Sequence, residues 1–241
     1  MPASADHEKV QDPSWERLAD DVAYRHCRIE LSRLIADHLE AAGRVVPACP
    51  EWTVRDVIAH VVGGCVWAVQ AREGLDVAGP PDLDGVDLGR LLDDWRQAGD
   101  RLDALLAGGA DPMHPMMALD LFAHELDIRH VLARPAPKDH PVYPGALDSA
   151  VAGFSREVRA RQLPALRVVS PGAQWVAGAG TPEVTLEGDR HDLFRTLTGR
   201  RTMRQIASLS WSASPDPWLP AFEWGLFSPP DRQTEDVVGA R

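Results

Sequence analysis

Apolar residues recur at helical spacing through the first half of the chain and predict four amphipathic helices. The first runs from Asp12-Pro13 to Gly43 and is expected to be broken or bent once. The second begins at Thr53, the third is capped by Asp87, and the fourth covers residues 116–132. Four such helices joined by loops predict a four-helix bundle, whose interior is a usual place for metal sites.

The pattern changes after residue 133, where a proline-rich connector at 133–145 suggests a domain boundary. A helix over 146–162 follows, and short runs of β-type residues are separated by proline and glycine turns. These runs lie at 166–170, 174–177 and 183–187, before a further helix at 189–198. The sequence therefore predicts a mainly α protein, with a bundle at 13–135 and a small α+β domain at 145–230. Residues 1–11 are expected to be a mobile tail.

Ionisable residues lie on the apolar side of the fourth predicted helix. At 100° per residue, Asp120, His124 and Asp127 share one narrow stripe, whereas Glu125 and Arg129 fall on the opposite side. Ionisable groups are rare on a buried face unless they are paired or bind metal. A carboxylate and a histidine four residues apart can reach the same cation. For an isolated pair of this kind a buried Asp–His hydrogen bond is the more common explanation, and a second histidine elsewhere is what favours a metal site.

A second histidine, His60, lies on the second predicted helix. Thr53 can cap this helix, with Asp56 in the position of the capping-box partner, and Trp52 can pack onto Val57. A helix start fixed in this way would hold the direction in which His60 points.

Two consecutive glycines, Gly63 and Gly64, follow His60 one turn later. Each costs roughly 1 kcal/mol in a helix interior. Their presence indicates that something approaches the backbone there, either a crossing helix or a ligand.

Net charge and cysteine content exclude several classes of function. The chain carries a net charge of −11, so it is a poor candidate for binding nucleic acid. No apolar run is long enough to span a membrane, and no secretory signal is expected. The three cysteines include no close pair, which favours a reducing cytoplasm over a disulfide scaffold. Phosphate-binding glycine loops, serine-hydrolase elbows and C-x-x-C motifs do not occur in the sequence.

Residues 51–64 (EWTVRDVIAHVVGG), taken with Asp120-x-x-x-His124-x-x-Asp127, resemble the mycothiol-dependent maleylpyruvate isomerase family of DinB-like four-helix bundles. Residues 192–200 resemble part of the α+β domain that follows the bundle in that family. The resemblance implies that His60, Asp120 and His124 bind a divalent metal, usually zinc. Asp120 departs from the glutamate usual in the family and is one methylene shorter.

Two imidazoles and one carboxylate are a common catalytic zinc set with a fourth place open. The resemblance implies that water or the thiolate of mycothiol takes this place, and that the enzyme is an isomerase or an S-transferase. Asp127 is expected to hold a ligand histidine in its tautomer, or else to pair with an arginine. Arg200 is expected to bind an acidic substrate, or else only to interact with a helix C-terminus.

Two other functions stay open on the sequence. One is a metal-dependent hydrolase on the same bundle, in which water replaces the thiol. The other is a non-catalytic binding or regulatory protein with a degenerate metal site. The expected partner is a small electrophilic or acidic molecule, and the sequence fixes neither its identity nor the oligomeric state.

Overall fold

The structure is a computed structural model that describes residues 9–11, 15–107 and 112–237. The chain divides into two compact units. One is Leu18–Ala136, and the other combines the N-terminal segment with the chain from Pro137 onward. About half of the residues are helical. The expected mainly α fold with a C-terminal α+β part is confirmed.

The first unit is built from four long helices: α1 (Asp20–Ala36), α2 (Val54–Arg72), α3 (Leu88–Leu106) and α4 (Pro115–Val131). Helix α2 packs mainly against α3, and α1 packs mainly against α4. The core between them consists of fully buried apolar side chains at regular helical positions. Its members include Cys27, Leu31, Ile35, Val57, Ile58, Cys65, Leu91, Trp95, Leu102, Phe122 and Ile128. Burial of this apolar surface holds the helices together.

The start of the first helix differs from the prediction. Helix α1 begins at Asp20, and residues 15–19 are not helical, while Asp12 and Pro13 lie outside the described residues. The predicted break is confirmed, because α1 ends at Ala36 and a short 3-10 helix follows at Leu39–Ala41.

Helix α4 is buried on both sides. The sequence placed Glu125 and Arg129 opposite the apolar stripe, yet the side chain of Glu125 is fully buried and accepts a 2.7 Å hydrogen bond from Arg129 Nε. Helix α1 covers this side, and burial together with the nearby Glu125 raises the pKa of the Cys27 thiol. The ion pair offsets the cost of burying the carboxylate, so the outer stripe of α4 belongs to the core.

The second unit contains helix α5 (Tyr143–Ala160) and a five-stranded sheet. Its strands are β1 (Lys9–Gln11), β4 (Leu166–Ser170), β5 (Ala173–Ala177), β6 (Val184–Glu187) and β7 (Ser210–Trp211), in the order β1-β5-β4-β6-β7. Strands β4 and β6 are parallel, and the other neighbours are antiparallel. Helices α6 (Arg190–Leu197) and α7 (Met203–Ala207) complete the unit.

The three strands predicted in the second half are confirmed to within one residue at each end. The expectation of a tail over 1–11 is wrong for residues 9–11, because they form the edge strand β1 on β5. Three residues are too few to show the period-two pattern from which a strand is predicted. Among the helices of the described residues, none combines the length and the apolar character needed to cross a membrane.

Candidate functional site

A short hairpin leads directly into the helix that carries His60. Strand β2 (Val45–Val46) pairs with β3 (Cys49–Thr53) where the sequence indicated only a loop. The predicted capping box is confirmed: Asp56 N donates to Thr53 Oγ1 at 3.3 Å, and Thr53 N donates to Asp56 Oδ2 at 2.8 Å. Hydrogen bonds from Thr53 and the neighbouring Arg55 hold the pKa of Asp56 below its usual value, against the opposing effect of burial.

We expect Thr53→Ala to lower the free energy of unfolding by about 1 kcal/mol, because the first turn of α2 loses its cap. Thr53→Ser keeps the hydroxyl and should retain most of that stability. Urea unfolding of the three proteins at neutral pH measures the effect; equal losses in both variants would contradict it.

The cap should also depend on pH. Because the pKa of Asp56 is lowered in the folded state, the contribution of Asp56 to the cap is fully present above the ordinary aspartate pKa. That contribution is lost as the pH falls through the lowered value.

The side chains of His60, Asp120 and His124 converge. His60 Nε2 lies 3.2 Å from Asp120 Oδ2, and His124 Nε2 lies 3.6 Å from Asp120 Oδ1. One ligand atom from each of the three residues lies within 4.8 Å of the other two. Two imidazole nitrogens and a carboxylate oxygen are a donor set that divalent zinc accepts. The shorter side chain of Asp120 is long enough to reach between both rings.

Asp127 lies behind His124. Its Oδ2 atom is 3.3 Å from His124 Nδ1, on the opposite edge of the ring from Asp120, and its side chain is fully buried. The contact is close but is not aligned as a hydrogen bond. A carboxylate in this place favours the tautomer with a proton on Nδ1, which leaves Nε2 available toward Asp120.

Trp52 is part of this cluster, although the sequence indicated only a packing role for it. Its ring centre lies 5.1 Å from that of His60 and 6.2 Å from that of His124, and its plane is inclined by 29° to the His124 ring. The sequence places Trp52 immediately before Thr53, the cap of α2, and therefore near His60. The direction of the Trp52 side chain depends on the β2–β3 hairpin, which the sequence did not reveal.

Cys49, at the start of β3, is a further residue near His124, and the sequence indicated no site role for it. Ligand atoms of Cys49, His124 and Asp127 also lie within 4.8 Å of one another. His124 therefore belongs to two potential metal-binding groups, one on each side of its ring. None of the three cysteines forms a disulfide.

One side of the cluster is open. The side chains of His60 and Asp120 are 41% and 43% exposed, whereas that of His124 is 7% exposed. A Cβ atom added at Gly64 would meet no atom within 4 Å, while one added at Gly63 would touch Pro80 Cβ at 3.4 Å. The two glycines therefore have different surroundings: Gly63 lies against the loop before α3, and Gly64 leaves space one turn from His60.

A cavity of about 420 Å³ adjoins His60 between the start of α2 and that loop. Its lining includes four carboxylates, Glu51, Asp56, Asp82 and Asp84. Arg55 is the cation among the lining residues; it donates to the carbonyl oxygens of Leu83 and Val86 and pairs with Asp56. The Arg55 guanidinium therefore binds the loop before α3 and Asp56. Because the lining carries four carboxylates and one guanidinium, the surface of the cavity is acidic and accepts hydrogen bonds.

Arg200 lies in the C-terminal unit. Its side chain is buried and donates a 2.6 Å hydrogen bond to the carbonyl oxygen of Thr198 at the end of α6. This contact gives a hydrogen-bond donor to a carbonyl group at the C-terminal end of α6. A role for Arg200 toward an acidic substrate stays a prediction.

The fold is that of known crystal structures. No protein-family model matches the chain, and no curated protein matches its sequence. One similar structure is a mycothiol-dependent maleylpyruvate isomerase carrying a histidine-to-alanine mutation, with a TM-score of 0.57 at 16% identity. A second is a mycothiol-dependent maleylpyruvate isomerase, with a TM-score of 0.52 at 15% identity. Each alignment covers 82% of this chain and 94% of the other. The chain shares their fold.

Proposed function

We propose that this protein is a divalent-metal-dependent enzyme that uses a low-molecular-weight thiol, mycothiol, and acts as an isomerase or an S-transferase. The observation that carries the proposal is the convergence of His60, Asp120 and His124 within 4.8 Å, with one side open. Support comes from the fold, since both similar structures are mycothiol-dependent maleylpyruvate isomerases. Zinc is the ion we expect, because two imidazoles and a carboxylate are one of its common catalytic sets.

Each residue of the cluster has a distinct task. His60, Asp120 and His124 would hold the ion, which when bound lowers the pKa of a coordinating thiol and so supplies a nucleophile at neutral pH. Asp127 is a positioning residue, because it touches His124 rather than the open side. The Trp52 ring restricts the side chains of both histidines. Gly64 leaves room for the thiol or the substrate beside His60.

The thiol accounts for both candidate activities. In the isomerisation, sulfur adds to one carbon of a conjugated cis double bond, the resulting single bond rotates, and elimination releases the thiol with the trans product. In an S-transfer, sulfur displaces a leaving group and stays attached. The acidic cavity beside His60 favours a neutral, hydroxyl-rich or cationic group there. A polyhydroxylated thiol co-substrate fits that surface better than a dicarboxylate does.

Metal content and thiol dependence test the proposal together. Purified wild-type protein should contain about one divalent ion per chain, and His60→Ala should bind it at least tenfold more weakly. His38→Ala removes a half-buried histidine that pairs with Glu40 on the segment after α1, and it should leave the metal content unchanged. With maleylpyruvate as substrate, the rate should rise to saturation as mycothiol is added.

Two outcomes would contradict the proposal in different ways. Negligible metal in the wild type and in both variants would exclude the metal centre and leave a binding protein. A hydrolytic activity that depends on metal but not on mycothiol would exclude the thiol and favour a hydrolase on the same bundle.

A further inference from the structure

His124 lies between two sets of potential metal ligands. On one side, Asp120 faces its Nε2 atom at 3.6 Å; on the other, Asp127 faces its Nδ1 atom at 3.3 Å. Cys49 completes the second set, with ligand atoms of all three residues within 4.8 Å of one another. Ligand atoms around a tetrahedral zinc ion are about 3.4–3.7 Å apart. The second set therefore needs only small side-chain movements to surround an ion.

A buried nitrogen atom points to a ligand on this second side. His124 Nδ1 makes no aligned hydrogen bond with any residue that the structure describes, and the side chain of His124 is only 7% exposed. Buried polar atoms without a hydrogen bond are uncommon, because such an atom has lost its contacts with water and gained no partner in exchange. This atom could be satisfied by a metal ion or by a proton shared with Asp127. The presence of Cys49, a metal-binding residue type, beside both residues favours the metal ion.

We propose that Cys49, His124 and Asp127 form a second metal position, which selects thiophilic ions and competes with the His60–Asp120–His124 position for His124. A thiolate, an imidazole and a carboxylate favour zinc and cadmium over magnesium or manganese. On binding, the Cys49 thiol loses its proton to solvent. Two ions on one imidazole would require the ring to lose its remaining proton, so occupation of one position disfavours the other. This inference does not depend on whether the first position is catalytic.

Cadmium is the probe that tests this position, because a cadmium–thiolate bond adds a charge-transfer absorption in the ultraviolet. We expect wild-type protein to show this absorption at one Cd²⁺ per chain. His60→Ala should keep it, because His60 is not a ligand of the second position. Cys49→Ser should lose it and bind Cd²⁺ at least tenfold more weakly than His60→Ala does. Cys65→Ala is the matched control, since Cys65 is fully buried on α2 and should leave the absorption unchanged.

Manganese tests the competition, because its electron-spin-resonance signal distinguishes bound from free ion. Mn²⁺ loaded first should be released as Cd²⁺ is added to the wild type, and should remain bound in Cys49→Ser at the same low Cd²⁺ concentration. Mn²⁺ that stays bound while the cadmium–thiolate absorption develops would overturn the sharing of His124. An absorption absent from both wild type and His60→Ala, or persisting in Cys49→Ser, would overturn the second position itself. Circular dichroism checks that each variant is folded.

Discussion

Replacing His124 by alanine should abolish metal-dependent stabilisation of this protein. His124 belongs to both groups of converging ligand atoms, so its loss leaves two ligands in the first group and two in the second. A ligand that binds only the folded state stabilises it by about 2.7 kcal/mol at one hundred times its dissociation constant. Wild-type protein should therefore melt several degrees higher with zinc than with chelator. His124→Ala should melt at the same temperature in both.

For each protein, the melting temperature with zinc is compared with the melting temperature with chelator. A general loss of stability in a variant lowers both values and does not change their difference. His124 is buried, and its truncation alone is expected to lower the melting temperature. His60→Ala provides the matched test, because it removes only the first group and should keep a reduced zinc response through Cys49. A zinc-dependent rise in His124→Ala equal to that of the wild type would show that neither group holds the ion.

Glu235→Gln should lower the free energy of unfolding by about 3–5 kcal/mol, because it leaves buried charges without their partner. Glu235 accepts hydrogen bonds from Arg195 Nε at 2.7 Å and Arg195 Nη2 at 3.2 Å, and it also pairs with Arg201. All three side chains are almost fully buried. When Glu235 loses its charge, Arg201 keeps its 2.8 Å bond to Asp192 and a 3.4 Å bond to the carbonyl oxygen of Arg200, so Asp192 is the one carboxylate that these contacts leave it. Urea unfolding compared with Glu157→Gln measures the effect.

Glu157 is the matched control because it pairs with Arg161 in a similar geometry at the surface, where such a pair contributes less than about 1 kcal/mol. Equal effects of the two substitutions would contradict the prediction. Burial alone would raise the pKa of Glu235, but Arg195 and Arg201 hold it below its usual value. The stabilisation is therefore fully present above the unfolded pKa of about 4.3 and is lost as the pH falls through the lowered folded value.

The sequence predicted the helices of the bundle well, because they are long and their apolar residues repeat regularly. Helix α3 shows this clearly: Asp87 caps it as expected, and Leu91, Trp95 and Leu102, which recur at helical spacing, are fully buried. The pattern did not reveal the shortest strands of the described residues. Strands β1, β2 and β7 have three residues or fewer, which is too short for any period to be visible.

The same limit applies to buried charges. Glu125 and Arg129 are four residues apart, a spacing that is as common on a solvated helix face as in a core. Nothing in the local sequence shows that α1 covers them. Arg195 and Arg201 likewise depend on Glu235, whose distance along the chain prevents any local pattern from linking the three.

By itself, the sequence determined which side of α4 carries Asp120, His124 and Asp127, and that a capped helix presents His60, because helical spacing and capping are local properties of the chain. Only the tertiary structure decided that His60 lies 3.2 Å from Asp120 across two helices, and that Trp52 and Cys49 join them from the hairpin. Those distances depend on how separate elements pack, and packing is set by the whole core rather than by any one segment.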